Sequence, residues 1–125
     1  MNDKLISVES VPHNCQRYDT VGDWQFEPDG SLTVNISEMP DKRYMWLVAI
    51  HEIVEAMLCK INGISQEEVD AWDISHLDDV DPGGIRACPY HVEHIIATSI
   101  EAMLAAQMGV GWDHYENVLE DLKYD

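Results

Sequence analysis

The chain has 125 residues, 46% of them hydrophobic, and sets 24 Asp and Glu against 7 Lys and Arg, for a formal net charge of −17 at pH 7. That length and apolar content suit one globular domain over 1–125 with a real core and exclude wholesale disorder. The charge excludes an electrostatic grip on nucleic acid or on an anionic membrane, and it favours metal cations or a basic protein partner.

The N-terminus has no basic segment leading into an apolar one, so no signal peptide is expected. No run of eighteen apolar residues predicts a membrane span. Cys15, Cys59 and Cys88 are odd in number and widely spaced, so no disulfide framework is expected and the cytoplasm is the expected compartment.

The first 40 residues read as strands. Leu5 to Ser10 is short and rich in β-formers. The stretches "DWQFE" and "SLTVNIS" flank Pro28-Asp29-Gly30, residues suited to a tight reversal, so a β-hairpin is predicted. In the second stretch Leu32, Val34 and Ile36 alternate with Thr33, Asn35 and Ser37, the pattern of a strand with one polar face. Asp41 is the expected N-cap of a long helix to about Lys60, stopped at Asn62-Gly63. Ser65 and Glu68 form a capping box for a short helix to about Ile74. Ser75 to Cys88 reads as an acidic loop. Pro89 suits the first turn of a second long helix that ends at Gly109. Asp113 and Glu116 suggest the start of a last amphipathic helix with Val118, Leu119 and Leu122 inward. The expected class is α+β: an N-terminal antiparallel hairpin or small sheet, then a bundle of about four helices over 41–125.

The first long helix contains "YMWLVAIHEIVEAMLC", Tyr44 to Cys59, in which His51, Glu52 and Glu55 interrupt an otherwise apolar run. At 100° per residue Val48, Glu55 and Cys59 fall together with His51 and Glu52 on either side, and apolar residues fill the rest of the circumference. Charges are seldom fully buried unless paired or metal-bound. The second long helix repeats the pattern: His91, His94, Thr98 and Glu101 share a face beside small residues. Two such helices facing each other would supply a mixed nitrogen and oxygen metal site. His51 and Glu55, at i and i+4, can hold one ion. His94 is the favoured third ligand, with His91 and Glu101 competing for a further place. Glu52, splayed to the other side of the stripe, would be free to act as general base toward a water. A buried ion pair, or a polar seam between core layers, is the competing reading of the same residues. Cys59 and Cys88 read as small core residues, and Trp24, Trp46, Trp72 and Trp112 as packing anchors.

"HEIVE" preceded by a hairpin strand resembles the minimal core of the zincin metallopeptidases, in which an edge strand lies above a helix bearing HExxH. The resemblance implies His51 as a ligand, Glu52 as the base, a ligand from a later helix, and Leu32 to Ile36 as the strand lining a substrate cleft. Glu55 stands where that family has its second histidine. The implied ion is a divalent metal, zinc first, with manganese or iron opened by the carboxylate. The stretches "HEIVEAMLC" and "PYHVEHIIATSIEAMLAAQMGV" look like those of small uncharacterised bacteriophage and prophage proteins, which implies a host bacterial cytoplasm. The expected function is therefore a metal-binding phage-type protein, a hydrolase with a zincin-like site. The alternative is a non-enzymatic acidic accessory or inhibitor protein that binds a basic host or phage protein, with a structural metal or a buried polar network.

Overall fold

The computed structural model describes residues 3–123; Met1, Asn2, Tyr124 and Asp125, which the domain expectation includes, lie outside the described residues. Three strands, β1 (Ile6–Val11), β2 (Gly22–Phe26) and β3 (Leu32–Ser37), precede four helices, α1 (Lys42–Ile61), α2 (Gln66–Ser75), α3 (His91–Gln107) and α4 (Trp112–Lys123). The class is α+β.

β2 and β3 form the expected antiparallel hairpin, Trp24 opposite Val34. β1 pairs with the other side of β3 in parallel, Val8 opposite Val34, so the sheet is mixed, in the order β1-β3-β2. This corrects the placement of Leu32 to Ile36 at an edge: β3 is the central strand, and β2 is the edge that reaches the site. The reason lies in burial. Leu32, Val34 and Ile36 are all buried, and a strand that packs its apolar face on a helix gains most from a neighbour on each side.

The helix boundaries follow the local chemistry. The Asp41 side chain accepts from Arg43 N–H at the start of α1, and Ser65 with Glu68 makes both bonds of the capping box on α2. α1 and α3 end alike: Gly63 and Gly109 have φ of +72° and +70°. Beyond them Ile64 N–H donates to Cys59 O and Val110 N–H to Ala105 O, which satisfies carbonyls the helix leaves open. α4 starts two residues earlier than a cap at Asp113 implies, at Trp112, so Asp113 sits within its first turn rather than capping it.

α1 packs one side on β2 and β3 and another on α3. α1 and α3 run antiparallel, since Arg43 reaches Met108 O, His51 meets Glu101 and Asn62 meets Glu93. The core runs through Trp24, Val34, Leu47, Ala56, Cys59 and Tyr115. Cys59 and Cys88 are buried as expected. Trp46 is not an anchor: it is 60% exposed, and Met57 and Ile61 on the same side of α1 are also exposed.

The segment between β1 and β2 is pinned by polar contacts. His13 bridges Ser37 Oγ (2.8 Å) and Asp19 (2.7 Å). Arg17 makes paired hydrogen bonds to the buried Asp23 and to Asp70 of α2. No helix among the described residues is long and apolar enough to cross a membrane.

Candidate metal centre

His51 and Glu55 project from α1 toward α3, and His94 projects back. One donor atom from each lies within 4.8 Å of the others. The common point is Glu55 Oε2, 3.1 Å from His51 Nε2 and 2.9 Å from His94 Nδ1. Donors held at ~2.0–2.2 Å from a tetrahedral ion stand roughly 3.3–3.5 Å apart, so the two separations from Glu55 fall only a few tenths of an ångström short of that spacing, and the two imidazole nitrogens lie within 4.8 Å of each other. The two rings approach edge to face, centroids 4.7 Å apart.

Each donor is held from behind. His51 Nδ1–H donates to Glu101 Oε1 at 2.7 Å, and Glu101 Oε2 accepts from the Tyr115 hydroxyl at 2.5 Å. His94 Nε2 is 2.8 Å from Asp81 Oδ1. The second Glu55 oxygen, Oε1, accepts from Trp24 Nε1–H at 3.0 Å. Metal-ligating histidines usually give their other nitrogen to a carboxylate, which fixes the tautomer and the ring. Here both do. Of the other candidates, Glu101 stands behind His51, and His91 turns away to donate to Gly83 O at 3.0 Å. Sequence reasoning missed Asp81, Trp24 and Tyr115 in this role. It also missed two glycines. A Cβ at Gly22 would lie 2.7 Å from Glu52 Cγ, and one at Gly83 would collide with the His94 ring, so both segments can close on the site only without a side chain.

Glu52 lies on the side of the stripe facing β2. It is buried, 3.8 Å from His51 Nε2. A cavity of about 210 Å³ opens beside these groups, walled by the Tyr18–Gly22 segment, the loop at Asp81 and the inner face of α4.

The electrostatics follow from crowding carboxylates in a desolvated space. Burial pulls the His51 imidazolium down, but Glu101 and Glu55 outweigh it, and its pKa lies well above the ordinary value. Burial likewise opposes the charge on His94, and Asp81 and Glu55 raise it to about 9. Burial pushes Glu55 up, yet its bonds to His51 and His94 hold it below the carboxylate range. Glu52 is raised well above that range, first by burial and then by the Glu55 charge. Even without Glu52, the carboxylates Glu55, Glu101 and Asp81 outnumber the two imidazoles, and a divalent cation held by neutral imidazoles would supply the two positive charges that their protons carry otherwise.

No protein family, curated protein or solved structure gives a match to the chain.

Proposed function

We propose that the chain binds one divalent metal ion through His51, Glu55 and His94, zinc first and manganese or iron behind it, and works as a metal-dependent hydrolase with a zincin-like site. The observation that carries this reading is that both histidines turn one nitrogen to Glu55 Oε2 and the other to a carboxylate. When bound, the ion supplies Lewis acidity. The chain's own residues supply the rest. Glu101 and Asp81 orient the imidazoles, and Trp24 fixes the Glu55 carboxylate. Glu52 lines the cavity beside His51, where it can take a proton from a water and return it to a leaving group. The cavity favours an enzyme over a closed structural clamp, because it leaves space for a substrate next to the donors. β2, with Gly22 against Glu52, takes the place of the edge strand in the zincin arrangement. A bacterial cytoplasm, with the chain in a phage-type role, is the compartment we propose, and the free thiols of Cys15, Cys59 and Cys88 support it.

A second reading rests on the same distances: Asp81, His94, Glu55, His51 and Glu101 also form a continuous ionic chain if both imidazoles are protonated. This suits the alternative role, an accessory protein whose acidic surface docks a basic partner. Elemental analysis of protein purified without a histidine tag separates the two. Near one ion per chain is expected, with a lower melting temperature after chelation. Metal-free protein whose melting is indifferent to chelator and to added zinc would sink the metal reading. Glu52→Gln should keep the ion and abolish hydrolysis, whereas Glu55→Gln should lose the ion. Equal metal loss in both would remove Glu52 from its role as base.

A further inference from the structure

The outer side of the α1–α3 pair faces away from the cavity. On α1, Trp46, Met57 and Ile61 fall within one arc of the helix and are 60%, 46% and 82% exposed. On α3, Val92, Ile95, Ile96 and Met103 do the same, with Val92 and Met103 at 62% and 69%. Because the helices are antiparallel, the turn toward the site runs the same way on each, so both stripes lie on one surface. Asn62 bonded to Glu93 sets Ile61 level with Val92, and Arg43 at Met108 O sets Trp46 toward the Met103 end. The result is one two-helix face.

Its charge sets this face apart. α1 and α3 contain four carboxylates, Glu52, Glu55, Glu93 and Glu101, and all four are buried. The exposed ionic groups on these helices are Lys42, Arg43 and Lys60, all on α1. Every other Asp and Glu of the 24 lies elsewhere in a chain of net charge −17.

We propose that this face is a two-fold interface that joins two copies of the chain through α1 and α3 of each. Two considerations select a second copy as the occupant. Seven large side chains left about half open expose on the order of 700–800 Å², more than the ~300–600 Å² patch of an ordinary monomer and near the ~800 Å² per partner of a stable dimer. A basic partner drawn by the net charge would dock on the acidic surface, whereas this face offers it hydrocarbon and no exposed carboxylate of α1 or α3. Two copies, by contrast, repel each other everywhere except here, and a self-complementary apolar face is what a two-fold interface requires. The pairing leaves the cavities on the outside, open to solvent.

The test is molar mass by light scattering and sedimentation, with reductant present because Cys15 is exposed. Wild type is expected at twice the 14.2 kDa chain mass, dissociating on dilution. Higher salt should tighten the dimer by screening like charge. Met57→Glu and Ile96→Glu each bury charge twice across the two-fold and should weaken it roughly a hundredfold. Both positions are exposed, so helical circular dichroism should be retained. Ile74→Glu, at an exposed position on α2, should leave the mass unchanged. A monomer at all concentrations overturns the proposal. So does a dimer that survives both substitutions, that is lost equally in Ile74→Glu, or that depends instead on Val8 at the exposed side of β1.

Discussion

Trp24 sits in the middle of β2 with its ring in the core and its indole N–H on Glu55 Oε1. A tryptophan in a strand reads as packing, and in sequence nothing separates one that only packs from one that also donates. Trp24→Phe keeps most of the apolar contact and removes the donor. The Glu55 oxygen then stays buried without that partner, at a stability cost of about 1–3 kcal/mol. If His51, Glu55 and His94 hold an ion as proposed, loss of this outer partner also weakens metal binding roughly 10–100-fold. Zinc titration against a competing chelator reads the second effect and denaturant unfolding the first. Unchanged zinc affinity would mean that Trp24 only packs. The donors themselves are more legible. His51 and Glu55 are four residues apart on one helix, and His94 repeats the polar stripe on another, so periodicity alone predicts their meeting. Asp81 and Tyr115 come from a loop and a different helix. Their positions depend on tertiary closure, which helical spacing does not encode. His91 shares a face with His94 on a wheel, yet it lies at the N-terminal end of α3, where the Gly83 carbonyl takes its N–H.

One carboxyl of α2, that of Asp73, gathers three parts of the molecule. Asp73 accepts from the Tyr18 hydroxyl at 3.0 Å and from the Tyr90 hydroxyl, so the β1–β2 segment, α2 and the approach to α3 meet on it. Burial raises its pKa from 3.8 to about 6, against the opposing effect of Tyr90. A carboxyl raised in the folded state is favoured there as the neutral acid. Its contribution is fully present below the unfolded value near 3.8 and is lost as pH rises through about 6. Asp73→Asn cannot titrate. The stability of wild type relative to Asp73→Asn should therefore fall between pH 4 and pH 7. The fall should be on the order of 2–3 kcal/mol, because each tenfold change in proton affinity on folding is worth about 1.4 kcal/mol. Urea unfolding of both proteins across that range measures it, and a difference that stays flat or grows with pH contradicts the sign. Most of the elements were legible because their ends carry their own chemistry: Asp41, the Ser65–Glu68 box, and the glycines after α1 and α3. The sheet order was not. Alternation shows which face of a strand is buried, but the parallel pairing of β1 with β3 depends on where the connecting segment returns, and His13, Arg17 and Tyr18 fix that through long-range contacts. Trp46 reads as a packing anchor because the arc it occupies on α1 is apolar. Hydropathy cannot tell a core face from one left open, and Trp46, Met57 and Ile61 are open.

On the scale of the whole molecule, the surface outside α1 and α3 is predominantly negative, with a few Arg and Lys among its carboxylates. Among the described residues Arg17 and Arg43 are the Arg and Lys side chains that pair with carboxylates, to Asp23, Asp70 and Asp41. Added salt acts on this surface in two opposed ways. It weakens those pairs, of which exposed examples are worth only ~0–1 kcal/mol each. It also screens the mutual repulsion of the remaining carboxylates, whose range shrinks from ~30 Å at 0.01 M to ~10 Å at 0.1 M. With a net charge of −17 the second effect outweighs the first, since compaction brings many like charges within that range and only a few pairs oppose them. The melting temperature should rise with sodium chloride over this interval by about 5 °C, equivalent to roughly 1 kcal/mol for a chain of this size, and then level off. Salt would also strengthen self-association, so the measurement belongs on Ile96→Glu as well as on wild type. A rise in both isolates repulsion within the chain. A melting temperature that stays level or falls with salt in Ile96→Glu would show that the Arg17 and Arg43 pairs dominate the surface and that the net charge carries no folding penalty.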